Sequence, residues 1–205
     1  MKLFAEKKID QLFSEVEEKI NSCIFARKQD ALNKEIKTFA KDIYELIAIK
    51  TTLRLKKEET TVNTNLKSVP TNRLSYDVRM FANKNSYELA CVNYFIPFQG
   101  NSELFKYQPR KHSNFTYEGN FRGNVLHFEL QTQYANVNLD KKTETEVSNT
   151  ITEVVEKIEE NISQVHEECN NFNDGLEEKI IKAIEEFRKN DNERKERENR
   201  LNPFK

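Results

Sequence analysis

Residues 143–187 read TETEVSNTITEVVEKIEENISQVHEECNNFNDGLEEKIIKAIEEF. Apolar residues recur there every eleven positions: Val147, Ile158, Cys169 and Ile180 form one row, and Val154, Val165, Leu176 and Phe187 a second. A third row, Ile151, Ile162 and Ile184, breaks only at Asn173. Three apolar positions in eleven is a period of about 3.67, so the stripe stays on one side of a nearly straight α-helix and needs one continuous partner surface. At 1.5 Å per residue such a helix is roughly 65 Å long, longer than a small compact domain is wide. Its start is marked by Thr143-Glu-Thr-Glu146, a capping-box pattern, with Asp140 just upstream. Gly175 interrupts the helix without breaking the repeat, at a cost of roughly 1 kcal/mol against Ala.

The other end of the chain is also helical. Ile9, Phe13, Val16, Ile20, Cys23 and Ile24 are spaced by three and four, as are Leu32, Ile36, Phe39, Ile43, Leu46 and Ile47. The two stripes differ in phase, and the polar run Arg27-Lys28-Gln29-Asp30 lies between them. No Pro or Gly occurs before Pro70, so the spacing predicts one long, interrupted helix over residues 1–50 in preference to a helical hairpin. Residues 51–73 lose the pattern and read as an exposed connector.

Residues 74–140 change character and hold every glycine but Gly175 and more than half of the chain's aromatics. Ser75 to Phe81 alternates polar and apolar, Tyr87 to Phe98 is a longer apolar run, and Val125 to Gln131 alternates again. Turn chemistry at Gln99-Gly-Asn-Ser, Glu118-Gly-Asn and Arg122-Gly-Asn joins these segments. The expected fold is therefore α+β: two long amphipathic helices, N- and C-terminal, flank a small antiparallel β-sheet in a coiled-coil-like stalk and head. The head spans residues 74–140, the C-terminal helix 143–189, and a charged flexible tail 190–205.

A formal net charge of −1 gives no overall pull toward nucleic acid or an anionic membrane. Locally, residues 143–187 hold 13 acids and 3 bases, while residues 25–57 hold 4 acids and 9 bases, so the two ends are of opposite sign. No stretch reaches the roughly 18 apolar residues that span a bilayer, and the first residues lack the apolar core of a signal peptide. Cys23, Cys91 and Cys169 have neither CxxC spacing nor paired histidines, so they read as buried thiols in a reducing compartment rather than a zinc site or a disulfide framework. These features predict a cytoplasmic protein with no cofactor and no membrane association.

Candidate chemistry is sparse. His112, His127 and His166 lack a Cys, Ser or carboxylate at a spacing that would fix a triad or a metal pair, and His166 falls on the polar side of its helix. Four glycines leave no phosphate-cradling loop, and Gly119 to Gly123 reads as a hairpin turn. No catalytic motif is found. The hydrophobic stripe instead points to a protein-interaction module, an oligomerisation, scaffold or adaptor subunit. Its assembly residues would be Ile151, Val154, Ile158, Ile162, Val165 and Leu176, and its partner would be another protein or a second copy. Phe105, Tyr107, Arg110 and Lys111 are the candidate partner-binding residues of the head. The alternative is a single-stranded nucleic-acid binder using the basic and aromatic loop 105–122, which includes Phe115, Tyr117, Phe121 and Arg122. Against that alternative, residues 74–134 hold 6 bases and 5 acids and so form no basic field.

Overall fold

The computed structural model describes residues 2–74, 76–80, 83–111, 117–133 and 135–203, without the side chains of residues 77 and 78. In chain order they form β1 (Lys7–Lys8), α1 (Ile9–Ala26), α2 (Lys28–Asn33), α3 (Ile36–Ile47), β2 (Arg54–Leu55), β3 (Thr61–Pro70) and α4 (Tyr76–Met80). There follow β4 (Ser86–Gln99), β5 (Tyr107–Gln108), β6 (Asn120–Arg122), β7 (Val125–Gln131), α5 (Lys141–Asp174) and α6 (Leu176–Leu201). The architecture is α+β, with helices at both ends of the chain flanking an antiparallel sheet.

The N-terminal segment is not the one long, interrupted helix expected over residues 1–50 but three shorter helices. At Arg27 the backbone leaves helical geometry, with φ −114° and ψ 41°, and α2 carries the chain into a return. Arg27 and Lys34 both pair with Asp30 and Asp42, which fastens the turn. Glu35 caps α3 by accepting from the Lys37 and Thr38 amides at 3.0 and 2.7 Å. Lys179 pairs with Glu17 and Lys28 with Asp191, so α1 runs parallel to α6. The side chain of Asn173 meets Ile49 just past the end of α3, and the Arg188 guanidinium donates to the Ala31 and Lys34 carbonyls just before its start, so α3 runs antiparallel to α6. The segment is a hairpin laid on α6; Phe13, Val16, Ile20 and Ile24 of the first stripe and Phe39 and Ile43 of the second are buried, while Leu46 is exposed.

The first residues of the chain join the head: the Leu3 amide donates to the Tyr117 carbonyl at 2.9 Å, and β1 pairs in parallel with β5.

The C-terminal helix is long and bent. Asp140, not Thr143, is its N-cap, accepting from the Thr143 amide at 2.7 Å. Gly175 is the joint between α5 and α6, and helix continues to Leu201 through most of the expected flexible tail. At the bend, Phe172 stacks on Phe13 with ring centroids 4.5 Å apart. Asn173, the break in the third apolar row, donates to the Ile49 carbonyl at 2.8 Å and accepts from the Ile49 amide at 3.1 Å. Asn173→Ala strands both groups, which is expected to cost about 1–3 kcal/mol. A urea titration with a lower midpoint and an unchanged slope is the expected result, and an unmoved midpoint would contradict it.

Residues 51–73, expected to be an exposed connector, contain β2 and the whole of β3, which pairs with β4 in continuous register from Thr61↔Phe95 to Pro70↔Ser86. Residues 76–80, expected to be a strand, form the helical turn α4 instead; Ser75 and Phe81 lie outside the described residues. Across the sheet, β2 and β3 lie on one side of β4, followed on the other by β7 and then β6. Pro97 sits in this central strand where its neighbour changes from β3 to β2, and its carbonyl accepts from the Lys56 amide at 2.8 Å. One sheet face, with Ile96, Phe98, Leu126 and Phe128, packs on the helices in a single core.

Candidate functional site

The expected assembly residues are all core residues within one chain. Val154, Ile158, Val165 and Leu176 have no exposure, and Ile151 and Ile162 are 7% and 6% exposed. The sheet and the hairpin cover the stripe, so it needs no second copy to be buried.

The head residues separate. Phe105 is fully buried, with its ring edge-on to Phe4 and Phe98, and Tyr107 is buried beside Lys7 and Glu15. Neither is displayed to a partner. The Arg110 guanidinium pairs with Asp10 and lies over the Phe13 ring, while its amide donates to Glu168 at 2.8 Å. It ties the loop to both long helices. Lys111 is exposed. Phe121 packs on Phe98 and Phe105, and Tyr117 is half-buried, so neither forms an open stacking platform. His112 and Phe115 lie outside the described residues.

His127 lies on the sheet face away from α5, stacked on Phe95 and hydrogen-bonded through Nε2 to the side-chain Oδ1 of Asn93 at 3.0 Å. The Asn93 amide nitrogen in turn donates to Asn63 and Asn65, so this is a closed network of polar side chains. His166, placed by its helix spacing on the polar side, is half-buried, and burial lowers its pKa. No group of three or more His, Cys, Asp or Glu residues suited to a metal occurs among the described residues.

Burial raises the Cys91 thiol pKa and pushes that of Cys169 up to about 12. Both thiols stay protonated at neutral pH, which removes them as nucleophiles. Native iodoacetamide labelling is expected to modify the partly exposed Cys23 first, and Cys91 and Cys169 only on unfolding. The Cys169 thiol ionises near pH 9 when unfolded, so its contribution to stability is complete below that and declines as pH rises toward 12. Rapid native labelling of all three would refute this assignment.

What the chain does leave open is an edge. β3 is ten residues long and pairs only with β4 among the described residues. The Ala90 carbonyl accepts from Thr132, and the Phe98 amide donates to Asn124, so the even-numbered residues of β4 turn their backbone groups toward β7. The odd-numbered residues therefore bond β3 through Thr61, Asn63, Asn65, Lys67 and Val69. Val62, Thr64, Leu66 and Ser68 point their amides and carbonyls outward. Pro70, which has no amide hydrogen, falls in the same outward set, where its loss costs nothing.

The side chains of these outward residues lie on the α5 side of the sheet. There Val62 and Leu66 are 53% and 42% exposed. Beside α5 run two adjoining depressions of about 200 and 260 Å³, the first against β3 and β4 and the second against β4 and residues 57–60 just before β3. Val62, Thr64 and Val92 line the first, Ile96, Ile151 and Val155 the second, and Tyr94 lies in both. Burial raises the Tyr94 phenol pKa, and its hydroxyl makes no hydrogen bond among the described residues.

No family model, curated protein or solved structure matches the chain.

The strand was hidden in the sequence by Asn63, Asn65 and Lys67. Its surviving signals are the β-branched Thr61, Val62 and Thr64 and the closing Pro70.

Proposed function

We propose that the protein is a non-catalytic protein-interaction module, an adaptor or scaffold subunit, whose partner is another protein or a second copy. One observation carries the reading: a ten-residue strand, unpaired along one edge among the described residues, lies beside an apolar groove. An open edge presents unpaired donors and acceptors in register, and proteins ordinarily blunt or cover it. The absence of a glycine-rich loop and the raised pKa values of the buried thiols agree with a non-catalytic role. Binding of single strands draws no support from Phe105 and Tyr107, which are buried.

The reading is tested by cross-linking the chain in its own cells, followed by mass spectrometry and by light scattering of the purified protein over a tenfold dilution. A defined partner in stoichiometric amount, or a stable self-assembly, is expected. A chain recovered alone and monomeric throughout would overturn it.

A further inference from the structure

We infer that the free edge of β3 takes an extended, apolar and basic segment of a partner protein, which adds to the sheet as a further strand. The inference rests on the interaction-module reading and assigns it a site and a class of ligand.

Four features converge on β3. Outward amides and carbonyls at Val62, Thr64, Leu66 and Ser68 form a ladder spanning about 20 Å at 3.4 Å per residue, enough for a segment of six or seven residues. Residues 61–66 carry no charge and no proline, the usual protections of an edge. Lys67, the one charge on the strand, is held on the opposite face by Glu129 at 2.7 Å. An added strand lies about 4.8 Å from β3, so every second side chain would stand beside Val62 and Leu66 and extend the groove floor.

Charge selects the segment. Glu144 and Glu156 line the groove on the α5 wall, and Lys57, its one base, is paired with Glu159 at 2.8 Å. Residues 141–160 hold six acids against three bases. Basic side chains flanking the apolar ones would meet this wall, and acidic ones would be repelled. A second copy offers the same uncharged strand and the same acidic helix and has no complement to it.

The test uses the full chain and a labelled nine-residue peptide of alternating lysine and valine, read by fluorescence anisotropy. The comparison peptides are its glutamate–valine counterpart and a lysine–valine peptide N-methylated at alternate residues. The Thr64→Pro variant removes one outward amide and leaves the bonds to β4 in place, so circular dichroism and the melting temperature should stay near wild type. The lysine–valine peptide is expected to bind one to one, more weakly as salt rises. Thr64→Pro and N-methylation should each weaken it about tenfold. If Thr64→Pro does not fold, Val62→Lys with Leu66→Lys makes the same test through apolar contact and charge.

The proposal fails if the lysine–valine peptide does not bind, if the glutamate–valine peptide binds equally, or if folded edge variants keep full affinity. A dimer dispersed by Thr64→Pro would assign the edge to a second copy and overturn the peptide site. A partner recovered from cells equally well by wild type and Thr64→Pro would remove the strand site while the interaction-module reading stood.

Discussion

Replacing Ile158 and Val165 together by aspartate is expected to unfold the protein. Both side chains have no exposure and lie in the one core shared by the sheet, the hairpin and the long helix. Each substitution forfeits roughly 1.5–3 kcal/mol of apolar burial and leaves a carboxylate with no partner in an apolar site, at several kcal/mol more. The sum reaches the whole stability of a typical domain, about 5–15 kcal/mol. Far-ultraviolet circular dichroism should report loss of most helicity, and sizing should report an expanded chain. Ile158→Val, which removes one methylene, should cost about 1 kcal/mol and leave the fold intact. A double variant that kept its helicity and only changed its molar mass would put the stripe between copies and contradict its burial within one chain.

The same residues explain why the long helix was legible and the surfaces were not. An eleven-residue repeat is local information: it fixes helix, length and buried side before any partner is known. What covers the stripe is nonlocal. The return at Arg27 uses no Gly or Pro and is held by Asp42, fifteen positions away. Asn173 is visible as a gap in an apolar row, but its purpose lies with Ile49, 124 positions away. The alternation at Ser75 to Phe81 spans too few residues to separate a strand from a helical turn, and the turn won.

Strand β3 failed as a reading for the opposite reason. Asn, Ser and Lys are poor strand formers in isolation, and their pairing comes from the long apolar β4 beside them. The aromatic residues of the head were plausible as display or as core, and the structure puts Phe105, Phe98 and Phe121 ring against ring. The feature left for function is thus a backbone edge, which side-chain patterns scarcely encode.

Gly100→Ala is expected to give the largest loss from a single methyl group. The backbone there has φ +103°, a region that L side chains rarely adopt. An added Cβ would also stand 2.5 Å from the Thr52 carbonyl oxygen and 2.7 Å from the Leu53 amide nitrogen. These are backbone atoms and cannot swing aside as a side-chain tip would. Relief requires moving residues 52–53 off the turn, which pulls on β2, where Arg54 pairs with Gln99 and Leu55 with Phe98, and on Leu53, 1% exposed in the core. Backbone strain of about 1–3 kcal/mol plus the displacement should lower the melting temperature by roughly 10 °C. Two other glycines calibrate the effect. Gly123 has φ +59° with open space around a new Cβ, so Gly123→Ala should cost about 1–2 kcal/mol from conformation alone. Gly175 is helical, with φ −93° and its nearest neighbour at 3.9 Å, so Gly175→Ala should raise stability by roughly 0.4–1 kcal/mol. The predicted order of melting temperatures is Gly175→Ala, wild type, Gly123→Ala and, lowest, Gly100→Ala. A Gly100→Ala protein melting with wild type would mean that residues 52–53 do not pass against the turn at Gly100.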